Sequence, residues 1–124
     1  MGTIETKKDF DRKLTTNTAA GRLTQEDFLN WVADYYSGAV TEFILWDFSK
    51  ADLSGITNEE FRNILKEVKK ISHKRKGGKT AFVSKNDLGF GLGRMFEILA
   101  GIEDIQFEYM NFRSVSEARK WLGV

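Results

Sequence analysis

A chain of 124 residues, 41% apolar and 30% charged, has the size and composition of one globular domain over residues 1–124 and gives no ground for a disordered or fibrous reading. Nineteen basic groups against eighteen acidic ones leave a net charge of +1, so no overall field points to nucleic acid, and cysteine is absent, which removes disulfides, thiolate nucleophiles and sulfur-bound zinc. No stretch approaches the ~20 apolar residues of a spanning helix and the N-terminus lacks a signal-like apolar run, so the expected location is cytoplasmic, with no transmembrane segment.

Thr3–Lys7 and Lys13–Ala20 predict an antiparallel hairpin, the second strand alternating Leu14, Thr16, Thr18 and Ala20 against Lys13, Thr15 and Asn17. At Thr24 the period changes to that of a helix over Gln25–Ser37, with Thr24 and Asp27 as N-cap and N3 residues, a stripe of Phe28, Leu29, Val32 and Tyr36, and Gly38 as the stop. Trp31 and Tyr35 lie beside that stripe, either as an exposed aromatic patch or as the edge of a wide apolar face. The continuous apolar run Phe43–Trp46 reads as a central strand covered on both faces, followed by a loop over Asp47–Ser54.

Thr57 and Glu60 form a capping box that opens a second helix with the stripe Phe61, Ile64, Leu65, Val68 and Ile71, ended by Gly77 and Gly78. Thr80–Ser84 is a second buried strand. A third helix follows, carrying Leu88, Leu92, Met95, Phe96 and Leu99 and ending at Gly101. Ile105, Phe107 and Tyr109 alternate as a last strand, and Ser114 with Glu117 caps a terminal helix bearing Val115, Ala118 and Leu122. The order is ββαβαβαβα. The fold class is therefore α/β, a predominantly parallel sheet with an N-terminal antiparallel strand and right-handed crossovers.

Ligands of such sheets gather beyond the carboxyl ends of the parallel strands. That rule selects Asp47, Ser49, Asp52 and Ser54 after the central strand, and Asn86, Gly91 and Arg94 at the start of the third helix, as candidate ligand- or partner-binding residues. Three glycines, Gly89, Gly91 and Gly93, open that helix at a cost of ~1 kcal/mol each relative to alanine. Either close approach of helix to sheet or an anion on the helix amides beside Arg94 would offset it, and packing is the stronger expectation because Gly89 and Gly93 share a face. Lys66, Lys69, Lys70, His73, Lys74, Arg75, Lys76 and Lys79 read as a solvated basic face and helix end, with docking on an acidic partner or an anionic membrane surface as the sharper alternative. Asp47 and Asp52 lack further ligands around them, so no metal site and no cofactor are expected. With one histidine and no nucleophile elbow, no catalytic residue is assigned.

The segments Ile44–Leu53, Gly77–Val83, Phe90–Phe96 and Phe112–Gly123 resemble those of the SpoIIAA-like proteins, small bacterial STAS/SEC14-type domains, over roughly Leu14 to the C-terminus. The resemblance implies a sheet with helices wound beside it in the order already derived. In the better understood STAS domains it implies an anti-sigma factor antagonist switched by phosphorylation in an Asp-Ser-Ser-Gly type motif. The nearest text here is Asp52-Leu53-Ser54-Gly55, with Leu53 in place of the first serine. SEC14-type relatives carry hydrophobic lipids. The leading expectation is a non-catalytic protein-binding or regulatory module, docking through the loops after the central strands and the helix at Thr57. The alternative is a carrier or sensor of a small amphipathic or anionic ligand. A large apolar pocket beside Gly91 would favour the carrier and a flat, filled surface there the docking module. Partner identity and pathway are not written in the sequence, and homo-oligomerisation stays open.

Overall fold

The computed structural model describes residues 2–124. β1 (Thr3–Asp9) and β2 (Leu14–Arg22) form the predicted hairpin, antiparallel from Thr3↔Ala20 to Asp9↔Leu14, with Lys13 (φ 56°) turning the chain between them. Then come α1 (Gln25–Ser37), β3 (Phe43–Asp52), α2 (Asn58–Ile71), β4 (Lys79–Val83), α3 (Asp87–Ile102), β5 (Glu108–Phe112) and α4 (Val115–Leu122). The capping boxes Thr24/Asp27 and Thr57/Glu60 both close, each hydroxyl accepting from the N3 amide and each carboxylate from the N-cap amide.

The five strands lie in sequence order, β1-β2-β3-β4-β5, and β2 to β5 are parallel. Right-handed crossovers that always advance the same way put their helices on one side. α1, α2 and α3 accordingly cover one face, burying Phe28, Val32, Phe61, Ile64, Leu65, Val68 and Phe96 with Ile44 and Trp46 of the sheet. On the opposite face α4 buries Ala118 and Leu122 against Leu14, Leu45, Ala81 and Val83. The strand order never reverses. The sheet thus has no switch point to single out one pair of strand ends.

Besides one- or two-residue shifts at the ends of β1, β2 and β4, four boundaries differ from the sequence reading. β3 does not stop at Trp46: it runs to Asp52, paired with β2 throughout, so Asp47, Ser49 and Asp52 lie in a strand and not in a loop. Thr18 pairs with Asp47 but Ala20 with Lys50, so β3 carries an extra residue that shifts its side-chain parity, and Phe48 before it and Leu53 beyond it enter the same core. α3 passes through Gly101 to Ile102, the left-handed backbone that ends it falling on Asp104 (φ 58°). The last strand's ladder with β4 begins at Glu108, although Phe107 and Tyr109 face the core as their alternation required. Finally, a 3₁₀ turn, Ser72–Arg75, continues α2, and Arg75 is 3% exposed, not part of the solvated basic face.

Candidate functional site

Between the sheet and the α1–α3 layer lies an apolar cavity of about 70 Å³. About half of its wall is aromatic, including Trp31 and Tyr36 of α1, Trp46 and Phe48 of β3, Phe82 of β4 and Phe96 of α3. Some rings meet edge-on, Trp31 to Trp46 (4.7 Å between centroids) and Phe96 to Phe82 (5.7 Å), and others stack, Trp46 on Phe48 (5.3 Å) and Phe82 on Tyr109 (5.1 Å). Such rigid shapes leave gaps that flexible aliphatic chains would close. Trp31 is held in place by a polar seam across β1 and β2, its Nε1 donating to Thr6 Oγ1 (3.0 Å) and Asn17 Oδ1 (3.1 Å). Tyr35 stacks on it at 4.6 Å and shares hydrogen bonds with the Thr15 and Thr41 hydroxyls, so the pair forms the edge of a wide buried face, not an exposed patch.

Behind the inner end of the cavity lies a buried arginine. α2 leads through the 3₁₀ turn to Gly77, whose φ of 79° lets the chain reverse into β4. The turn sends Arg75 inward while His73, Lys74 and Lys76 stay exposed. Arg75 Nε donates to Thr41 O (2.9 Å), Nη2 to Glu42 O and Lys79 O (both 2.9 Å), and Nη1 to Thr80 Oγ1 (2.8 Å) and, at 3.5 Å, to Tyr36 Oη. Its guanidinium lies 4.5 Å from the Phe107 ring centroid. Among the described residues it is the one charged side chain on the cavity wall, and no carboxylate pairs with it. Burial raises the Tyr36 phenol above its ordinary value, opposed by the charge and hydrogen bond of Arg75. Part of the Tyr109 side chain reaches the surface, but its phenol is enclosed and pushed further up by burial and by Tyr36.

At the other end, a space of about 190 Å³ shares Phe48, Leu53, Ser84 and Gly89 with the cavity as common walls and adds Ala51, Asp52, Asn86 and Leu88. It lies beside the start of α3, where Asn86 Oδ1 caps the helix by accepting from Gly89 N (2.7 Å). Of the three helices on this face, α3 has the fewest fully buried residues. Gly89, Phe96 and Ala100 are its buried residues, and Leu88, Ile98 and Ile102 are more than half exposed.

The sequence-selected residues divide among several places. Asp52 and Asn86 line the outer space. Asp47 accepts from the Ser49 amide (3.0 Å) and hydroxyl (2.6 Å) within β3. Five residues of strand put Asp47 and Asp52 roughly 15 Å apart, too far to share an ion. Among the described residues no group of three or more His, Asp or Glu side chains gathers as a metal site. Ser54 is exposed and its amide donates to Asp52 (2.9 Å); the Ser54 hydroxyl and amide together hold that carboxyl below its ordinary value. Gly91 and Arg94 face outward, a Cβ at Gly91 meeting nothing, whereas one at Gly93 would run into the Asn111 side chain of β5 and one at Gly89 would press on Ser84 and Asn86 at 3.1 Å. Packing thus explains Gly89 and Gly93. Arg75, Tyr36, Thr80 and Tyr109 were not selected from sequence.

No family model matches the chain, and no curated relative matches its sequence. Solved structures do. An uncharacterized protein of the DUF3478 family with a SpoIIAA-like fold from Shewanella loihica superposes with a TM-score of 0.63 at 20% identity, covering 98% of this chain and 93% of that one. The fold is SpoIIAA-like. An anti-sigma factor antagonist from Mycobacterium paratuberculosis shares it with a TM-score of 0.57 at 11% identity, over 100% of this chain and 96% of that one. The sequential sheet with a one-sided layer of three crossover helices is thus a SpoIIAA-like arrangement, matching the element order read from periodicity. No helix among the described residues is long and apolar enough to cross a membrane.

Proposed function

We propose that this SpoIIAA-like domain is a non-catalytic carrier or sensor of a small amphipathic molecule, held between the sheet and α3. The supporting observation is the aromatic cavity with its outer space, which reaches the surface beside Gly89. Ligand sites are concave and apolar with a few placed polar groups, and this one has polar groups at each end. At about 70 Å³ the cavity is smaller than the 150 Å³ void known to take benzene, so a guest enters as α3 moves outward. A helix that buries so few side chains is the element that can do so at least cost.

Native mass spectrometry of freshly purified protein, with binding of the neutral fluorophore N-phenyl-1-naphthylamine, tests the reading. The expected result is a copurified small molecule or saturable fluorophore binding, and weaker binding by Leu92→Phe, which fills the cavity from α3. Absence of both in the wild type overturns it. A second reading, docking on a protein partner, draws on the exposure of Ile98 (63%) and Ile102 (72%), one turn apart on α3, and on the likeness to an anti-sigma factor antagonist. On that reading Ile98→Lys abolishes capture of the partner while leaving fluorophore binding intact.

A further inference from the structure

We infer that the guest is a small carboxylic acid with an apolar body, its carboxylate lodged against Arg75 at the inner end of the cavity. The inference rests on the carrier reading and adds the chemistry of the ligand and the direction in which it lies.

Arginine keeps its charge when buried. Arg75 is 3% exposed and its hydrogen-bond partners are neutral: three carbonyls and the hydroxyls of Thr80 and Tyr36. These bonds satisfy the donors but leave the charge unbalanced on an otherwise apolar wall, where an anion is drawn far more strongly than in water. The weakest of them is the contact between Nη1 and Tyr36 Oη, 3.5 Å long, at the edge of hydrogen-bonding range. A carboxylate oxygen replacing it would gain a charge-assisted bond and could accept from the Tyr36 hydroxyl as well.

The geometry argues against other guests. A phosphate brings a second charge that one arginine with a single weakly used donor does not balance. A cation is repelled. The opposite orientation, with the acid at the entrance, sets it beside Asp52, the one charged side chain on that wall. Along β4, Thr80 at the inner end and Ser84 at the entrance are about 13 Å apart, which fits a medium-length chain lying along the strand.

The test compares octanoate with octanol on the whole protein by calorimetry at neutral pH. Octanoate labelled with carbon-13 at its carboxyl then reports the bound acid's pKa by NMR. Octanoate is expected to bind roughly ten-fold or more tightly than octanol, the worth of one charge-assisted bond, with the bound carboxyl titrating below its value in water. Arg75→Gln should erase the preference and Arg75→Lys should keep part of it. Since Arg75 also ties β3 to β4, the Gln variant is exposed to misfolding, and the labelled-carboxyl titration decides on wild-type protein alone. Equal affinity for the alcohol, or a bound carboxyl titrating above its value in water, overturns the acid while the carrier reading stands. No binding of octanoate, octanol or the naphthylamine overturns both.

Discussion

The two faces of the sheet are packed by different means. The α4 face is filled by small aliphatic side chains, with Leu14, Leu45, Ala81, Val83, Ala118 and Leu122 all at most 3% exposed and the rings of Phe112 and Trp121 at its margin. The α1–α3 face is built of aromatic plates around a void whose wall holds a cation and two phenols. A single helix of eight residues closes the first; three helices, one of them thinly buried, close the second. The contrast teaches that the face able to yield is the larger and more aromatic one: aliphatic side chains interdigitate into a dense layer, whereas rings tile it with gaps.

That difference is broken most directly by truncation. Leu45→Ala removes a 1%-exposed side chain from the dense face, where neighbours have nowhere to relax, and is expected to cost about 2–5 kcal/mol in urea unfolding. Enlargement sharpens the comparison at the next level. Ala118→Leu on α4 should cost about 1–3 kcal/mol by overpacking, and Gly93→Leu a similar amount because the Asn111 side chain stands where the new atoms must go. Leu92→Phe, growing into the void, should cost under about 1 kcal/mol. Equal costs for Ala118→Leu and Leu92→Phe would remove the cavity from the account.

Periodicity read both faces well where it had side chains to read. Thr57 and Glu60, or the stripe Phe61–Ile64–Leu65–Val68, signal a capped amphipathic helix in any context. The alternation in β1 and β2 was enough for the hairpin. β3 was cut short because Asp47, Ser49 and Lys50 look like loop, and the extra residue that lets Phe48 and Leu53 share a face is invisible to a strict period of two. The site was less legible for a different reason. The rule of strand ends led to the outer space, where Asp52 and Asn86 stand beyond β3 and β4, and not to the Arg75 end of the cavity at the amino end of β4. Arg75 was legible in principle: the stripe Ile64, Val68, Ile71, continued one turn, lands on Ser72 and Arg75, both buried. Its lysine neighbours masked it, since a charged run reads as surface until a turn shows which member points inward.

The alkaline limb of stability should also separate the faces. The Tyr36 and Tyr109 phenols, both on the cavity side, are held above their ordinary value near 10 by burial. A folded-state pKa above the unfolded one gives stability that is complete below about pH 10 and is lost as pH rises toward the folded value. Urea midpoints of the wild type should fall above about pH 10 more steeply than those of Tyr109→Phe, the lysines contributing alike to both. Parallel curves would mean that the phenol is not enclosed as described.

The smallest effect belongs to Asp52, which stands between the faces at the end of β3 and lines the outer space. Hydrogen bonds from the Ser54 hydroxyl and amide, aided by Arg22, depress its pKa. The sign is opposite to that of the phenols: the contribution is present above the ordinary carboxylate range and is lost as pH falls through the depressed folded value. Because the group is fully exposed, water screens most of it. Asp52→Asn keeps an oxygen for the Ser54 amide and removes only the charge. The variant should therefore melt with the wild type at neutral pH, and its acid limb should differ only in the narrow interval where Asp52 titrates. If the carbonyl does not replace the carboxylate, Ser54 loses its anchor and the strand end frays into the entrance. That outcome would appear as faster amide exchange at Leu53 and Ser54 and as faster release of the naphthylamine, with the melting temperature again unmoved. Unchanged exchange at both amides would show that the amide carbonyl of Asp52→Asn keeps the hold on Ser54 and that the charge adds nothing at the mouth of the cavity.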